Sequence, residues 1–337
     1  MAILVKNWLL KRWFLIALAV VLAVGFSCSR ALAPLADSDW SPLLRRGIVA
    51  VVLFVMALPL GLSAVWRAVR FPGPSVLAAG INFGLLPLLA WGMYLVLMPP
   101  LGLHPQLAIG ILIAAATPST LASAAVWTRR AGGNDTVPVL VTLITNLSCF
   151  VVTPLWLVAM TGRAVESVRL SEMVVKLLCL IILPMSAAQF CRLGPGVRSW
   201  ATDHKGGLGV VAQCGVLSMI LLGSVRAGLS VRLETSTDAA GIADYVVMIA
   251  LVLTIHLSML AVGHLAGFWL RMSRPDRIAV GFAGSQKTLL VGLTVAVEDY
   301  GNFALAVLPM VAYHVGQLLV DTLIADRLQA TAPPAED

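Results

Sequence analysis

The amino-acid sequence predicts an all-α polytopic membrane protein, with about ten transmembrane helices in one domain over residues 1–330 and a disordered tail over 331–337. Three observations predict it. Of the 337 residues 59% are hydrophobic and 12% are charged, whereas an ordinary soluble domain is about 25% charged. Apolar runs of membrane-crossing length, about 20 residues, recur along the chain with short polar connections. Two of these runs, the fourth and the ninth, carry polar interruptions near their middles, at corresponding places in the two halves of the chain.

The runs fall at residues 10–27, 47–66, 75–98, 105–127, 135–160, 170–191, 206–228, 243–271, 276–297 and 303–325. Lys6, Lys11 and Arg12 at or before the start of the first, its apolar stretch and then Ala31-Leu32-Ala33 imitate a cleavable signal peptide. Removing it would leave nine spans, so it is expected to remain as the first helix. With the amino terminus inside, the inner connections hold Lys6, Lys11, Arg12, Arg67, Arg70, Arg129, Arg130, Arg192, Arg198, Lys205, Arg271, Arg274, Arg277 and Arg327. The outer ones hold Arg30, Arg45, Arg46, Arg163, Arg169, Arg226 and Arg232. Fourteen basic residues against seven put both termini in the cytoplasm. Lys176, near the start of the sixth span, is expected to reach outward to the interface. The net charge of +7 is scattered over these connections and forms no nucleic-acid-binding patch.

The ninth run contains Phe282–Gly292, FAGSQKTLLVG, with Lys287 about ten residues from either end. An ammonium at that depth costs roughly 2.5–3.5 kcal/mol on insertion scales and normally faces a bundle interior or a wet cavity. Ser285, Gln286 and Thr288 flank it. Its alternative role is structural, capping backbone carbonyls between helices. The fourth run is broken at Thr117-Pro118-Ser119-Thr120. A proline inside a helix removes a donor and frees carbonyls, and paired broken helices are where inverted-repeat transporters hold substrates and ions.

Further polar residues converge on these breaks. Ser119, Thr120 and Ser123 lie around the first, Thr142, Thr145 and Asn146 follow at helical spacing in the fifth run, and Asn82 stands in the third before Phe83 and Pro87. Their oxygens suit a sodium ion or the polar head of a substrate, and the plainer alternative is that they bond their own helices and pack them together. The tenth run adds Tyr313, His314, Gln317 and Asp321, and the eighth adds His256 and His264, which read as hydrogen-bonded packing residues. The five cysteines have neither a disulfide pattern nor metal-ligand spacing and read as small core residues. No metalloprotease motif, nucleophile elbow or phosphate-binding glycine loop occurs, so an enzyme is not expected and no cofactor is implied beyond a coupling Na+ or H+.

The segments Ala116–Pro154, Gly284–Thr288 (GSQKT) and Tyr313–Gln317 (YHVGQ), in order and over nearly the whole chain, resemble the bile acid:sodium symporter family. Within it they are most similar to the SBF-like branch, which includes solute carrier family 10 member 7. The resemblance implies two inverted five-helix repeats, with helices 3–5 and 8–10 as a core, helices 1, 2, 6 and 7 as a panel, and helices 4 and 9 unwound where they cross. It places Ser123, Thr142 and Asn146 at the sodium-ligand positions of helices 4 and 5, and Asn82 at the helix-3 Gln. Helix 9 departs from the pattern, because Ala283 stands at the acidic position and Lys287 at the following Gln. A carboxylate is thus lost and an ammonium gained, which disfavours sodium at the same spot.

The expected function is secondary transport of a small organic anion across a bacterial inner membrane, coupled to Na+ or H+. The sequence names no protein partner. Two alternatives are a non-transporting regulatory or scaffold protein affecting ion homeostasis, and an arsenite-type efflux permease. The second is disfavoured because Cys149 lies in helix 5 and Ala283 replaces the acid.

Overall fold

The structure is a computed structural model that describes residues 2–61, 72–120, 123–162, 170–233, 240–301 and 303–331. The described chain is helical throughout. The helices are α1 (Ala2–Ser27), α2 (Ser29–Asp37), α3 (Ser41–Ala57), α4 (Gly73–Val96), α5 (Pro105–Ala116), α6 (Ser123–Arg130) and α7 (Thr136–Thr161). They continue as α8 (Leu170–Cys191), α9 (Pro195–Asp203), α10 (Lys205–Leu233), α11 (Ile242–Trp269), α12 (Arg274–Ser285), α13 (Leu289–Glu298) and α14 (Val307–Ala330).

Seven helical segments among the described residues are long and apolar enough to cross a membrane, or eight if α1 and α2, bent by 98°, form one span. The seven coincide with the third and the fifth to tenth expected runs. The fourth is split into α5 and α6, and the end of the second, like residues 332–337 of the expected disordered tail, lies outside the described residues. In the ninth, α12 and α13 together have 94% of their apolar stretch buried, against 28–50% for the other six. Span nine is therefore enclosed by protein on all sides. The rest turn part of their surface outward, as the lipid-exposed leucines and valines of α4, α8 and α11 show.

Small residues let the enclosing helices approach. Gly263 of α11 and Gly281 of α12 meet so closely that a Cβ on the first would lie 3.0 Å from the second's Cα. Glycine at such contacts replaces side-chain bulk with backbone contact, the usual solution for helices packed in a membrane. Of the cysteines only Cys149 is buried. The other four are exposed and all five are free, which corrects their expected role as core residues. The outer surface of this fold is itself apolar, so a small apolar side chain needs no interior position.

Charged side chains gather at two ends. Arg45 and Arg46 pair with Glu298, Lys176 with Asp299, and Arg226 donates to the carbonyls of Ala36 and Val297. At the opposite ends of the spans Arg130 pairs with Asp326, Arg129 with Asp135, Asn134 donates to Asp276, and Arg274 donates to the Leu328 carbonyl. These bonds join residues that the sequence assigns to the same side. Lys176, expected to reach outward to the interface, lies in the first of these clusters, its side chain 24% exposed and held by Asp299. Arg67, Arg70, Arg163 and Arg169 lie outside the described residues.

Candidate functional site

The site is built on three interruptions of helical hydrogen bonding. In α4 the turn Ile81–Leu85 widens to a π-helix, and the Leu86 N–H bonds the Ile81 carbonyl. The partner for the Asn82 carbonyl would then be the N–H of residue 87, which is proline and has none. The Asn82 oxygen is thereby released from its own helix. Proline also deprives the Phe83 carbonyl of its usual donor, and the Trp156 indole N–H takes it at 2.6 Å.

The second interruption follows α5. Thr117 precedes Pro118, which disfavours helical ψ, and it is extended at φ −76°, ψ 156°. The third is Gln286–Thr288, where Gln286 (ψ 142°) and Thr288 (ψ 133°) are also extended. The two breaks touch through the backbone, the Thr288 N–H donating to the Pro118 carbonyl at 2.9 Å. Each break leaves a half-helix C-terminus and an N-terminus facing the interior, with the partial charges such ends carry.

Buried backbone groups need partners, and here other helices supply them. Asn82 Nδ2 donates to the carbonyls of Ala283, Gly284 and Gln286 at 3.3, 3.2 and 2.9 Å. Ser119 Oγ donates to Ala283 O at 3.1 Å, and Tyr313 Oη to Ser285 O at 2.8 Å. Gln317 pairs with both sides of Lys287, accepting its N–H at 2.9 Å and donating to its carbonyl at 3.0 Å. Across the other break, Thr142 Oγ1 donates to Thr120 O at 2.6 Å and Asn146 Nδ2 to Ser119 O at 3.0 Å.

Lys287 is 2% exposed. Its Nζ donates to Asn82 O and Thr117 O, each at 2.7 Å, and to Asn82 Oδ1 at 3.3 Å, and it lies 5.4 Å from the Phe83 ring centroid. The three N–H donors of the ammonium are matched by three oxygens. Among the described residues no carboxylate pairs with it. One residue earlier, Gln286 Oε1 accepts from Thr120 Oγ1 at 2.9 Å and Ser123 Oγ at 2.8 Å, and its Nε2 donates to Asp321 Oδ2 at 2.5 Å.

A family model for SBF-like CPA transporters matches residues 12–330, essentially the whole of this broken-helix architecture. The chain belongs to the SBF-like CPA transporter family. It is 27% identical over 262 residues to an uncharacterized protein of Pseudomonas aeruginosa, covering 74% of this chain and 77% of that one. It is 20% identical over 329 residues to sodium/bile acid cotransporter 7 of Xenopus tropicalis, with 95% and 92% covered, and 22% identical over 328 residues to the Danio rerio protein of that name, with 93% and 92% covered. This SBF-like chain is therefore an integral, multi-pass secondary transporter of a small molecule, and not an enzyme.

In this SBF-like transporter all twelve residues singled out from the sequence fall in one connected network. Asn82, Ser119, Thr120, Ser123, Gln286 and Lys287 hold the crossing directly; Ser285 and Thr288 take part through their backbone, Thr142 and Asn146 brace the fourth-span break, and Gln317 joins Lys287 to His314 Nδ1 at 3.1 Å. The three suggested sodium ligands are less united. Thr142 and Asn146 turn to the 119–120 backbone, whereas Ser123 turns to the side chains of Thr120 and Gln286. Asn146 Oδ1 is buried with no partner among the described residues.

Two further members of the network were named in the sequence but not singled out as site residues. Asp321 and His256, 0% and 1% exposed, pair at 2.8 Å. They are 65 residues apart and neither belongs to a motif. The usable signal is that Asp321 follows Gln317 by one helical turn, on the same face of the tenth span.

Proposed function

We propose that this SBF-like transporter moves a small organic anion across a bacterial cytoplasmic membrane by alternating access, with the Lys287 ammonium as a built-in cation in place of a bound sodium ion. Ten membrane segments in two inverted repeats, both termini in the cytoplasm, and a core of spans 3–5 and 8–10 moving against a panel of spans 1, 2, 6 and 7 belong to the same reading. The observation that carries it is the seating of Lys287 Nζ on Asn82 O and Thr117 O with no carboxylate beside it among the described residues. A fixed positive charge in a dry interior repels a second cation about 4 Å away by roughly 4 kcal/mol at an effective dielectric of 20. It attracts an anion by the same amount. His314 lies edge-on to Phe14 of α1, with ring centroids 6.2 Å apart. On this reading that contact marks where panel meets core and where the anion would lodge.

The test is thermal unfolding of the detergent-purified chain in sodium, potassium and choline salts, with pyruvate, succinate and taurocholate as anion probes. A ligand that binds the folded state alone raises stability by RT ln(1 + [L]/Kd). The expected result is one melting temperature in all three salts, and an anion-dependent rise that disappears in Lys287→Met. A sodium-specific rise in the wild type overturns the built-in cation.

A second reading keeps sodium at Ser123, Thr142 and Asn146, and the unpartnered Asn146 Oδ1 favours it. It requires a sodium-specific rise that Asn146→Ala abolishes.

A further inference from the structure

His256 of α11 and Asp321 of α14 are sealed inside the protein beside the ninth-span break. Their hydrogen bonds fix how many protons they hold. His256 Nδ1 lies 3.3 Å from the Ser285 carbonyl, which can only accept, so Nδ1 carries a proton. Nε2 lies 2.8 Å from Asp321 Oδ1. An imidazole lone pair and a carboxylate oxygen at that distance need a proton between them. Placed on nitrogen it makes an ion pair, and placed on oxygen it makes a neutral acid and base. In both cases the pair is neutral overall and holds one proton that it can release, and its loss leaves a single negative charge shared by the two groups.

That charge is connected to both breaks. Asp321 Oδ2 accepts from Gln286 Nε2, and Gln286 Oε1 accepts from the hydroxyls of Thr120 and Ser123 on the fourth-span side. One amide therefore links the carboxylate to the two segments whose crossing defines the site. Deprotonation strengthens the pull of Asp321 on Gln286, and protonation on oxygen weakens it.

Among the described residues the neighbouring ionisable groups are Tyr313, Lys287, His314, whose Nδ1 is turned to Gln317, and, farther off, His264. From α14, Tyr313 bonds the same Ser285 carbonyl and stands edge-on to His256, with centroids 5.9 Å apart. Lys287 follows Gln286 in the break, its Nζ turned to Asn82 and Thr117. On α11 the other histidine, His264, is eight residues away beside Arg274 and Arg277, roughly 12 Å along the helix. Between Pro105 and Ala116, α5 has no ionisable residue, and Tyr94 is the only one in α4.

We infer that Asp321 and His256 form a buried proton-binding site whose occupancy is transmitted to the crossing of the two broken spans through Gln286. This extends the transporter reading by naming a coupling proton and its seat, and proton binding itself does not depend on which solute is carried. The pair titrates as a unit, and its apparent constant belongs to neither residue alone.

The experiment is nitrogen-15 NMR of the full chain in detergent, labelled at its five histidines, followed from pH 5.5 to 9. The signal lost in His256→Gln identifies the residue. The expected result is an Nδ1 protonated throughout and an Nε2 that changes in one step. That step moves by more than about one pH unit in Asp321→Asn, moves in Gln286→Met, and persists in Lys287→Met. An unmoved step in Asp321→Asn overturns the pair as a proton site, and an unmoved step in Gln286→Met overturns its link to the crossing. Loss of the step in Lys287→Met assigns the proton to the lysine and also overturns it. Should the variants not fold, the wild-type spectrum decides: a bare Nδ1, or an Nε2 constant across the range, rules the site out. The salt and anion melts with Lys287→Met test the built-in cation separately, so the two ideas fail independently.

Discussion

The Nζ of Lys287 lies 2.7 Å from the carbonyl oxygen of Thr117, so an ammonium from the ninth-span break caps the end of the fourth span's first half-helix. The same nitrogen takes the Asn82 carbonyl that Pro87 leaves without a helical donor. One side chain thus joins three interrupted helices. Replacing it with methionine keeps an unbranched apolar stem one atom shorter and removes all three donors. A buried acceptor left without a donor costs about 1–3 kcal/mol, so Lys287→Met should lower the stability of the folded core by at least that amount, read as a drop in melting temperature. Lys287→Arg should not restore it, because a planar fork cannot serve two carbonyls and an amide oxygen arranged around a point charge.

Gln317 holds the same residue by its backbone, at 2.9 and 3.0 Å. Gln317→Leu strands a buried N–H and a buried C=O, each worth about 1–3 kcal/mol. Gln317→Glu keeps the acceptor and loses the donor. The expected order of melting temperatures is wild type, then Glu, then Leu. Equal values for the two variants would mean that the Lys287 peptide finds other partners.

Close packing at the start of α14 gives a steric prediction. A Cβ on Gly110 of α5 would lie 2.5 Å from Ala306 O and 2.9 Å from Ala306 Cα. Backbone cannot swing aside as a side chain can, so Gly110→Ala must push α5 and α14 apart, at about 1–3 kcal/mol. Gly92, in α4, has nothing within 4 Å of the same added atom. Gly92→Ala should be neutral or stabilising by about 0.5–1 kcal/mol through helix propensity. Parallel melts of the two variants separate lost space from lost glycine.

Much of this was legible in the sequence, for identifiable reasons. Seven of the ten apolar runs reappear among the described residues as helical segments of membrane-crossing length, because a span needs about 20 apolar residues. Thr117-Pro118 announced its break chemically, since proline acts on its immediate neighbours. Lys287 stood out because a charge in an apolar run has no bland surface explanation. The use made of the polar residues was not legible. Asn82, Ser119, Asn146 and Gln317 look like ligands in one dimension, and in three they donate to backbone carbonyls, Asn82, Ser119 and Gln317 at the ninth-span break and Asn146 at the fourth. Only the crossing of the spans decides which. His256 and Asp321 were discounted because their meeting depends on the packing of α11 against α14, which no local pattern encodes.

Lys176 and Asp299 supply a prediction about pH. Asp299 has a side chain only 7% exposed, with Lys176 as its partner. Burial pushes its carboxyl up from the usual range, and the bond and attraction of Lys176 oppose that push. The folded state therefore holds the proton more tightly than the unfolded chain, whose aspartate titrates near pH 3.9. Stability from this group is greatest below that value and declines as pH rises through the folded constant. Lys176→Met removes the opposing cation and leaves the carboxylate buried alone. The variant should melt below the wild type at neutral pH, and the gap should close as pH falls toward about 4. Adding Asp299→Asn to Lys176→Met removes the titrating group, so the double variant should lose this extra pH dependence. If the gap stays constant from pH 4 to 8, Lys176 acts through the packing of its methylene stem and not as the counter-charge of Asp299.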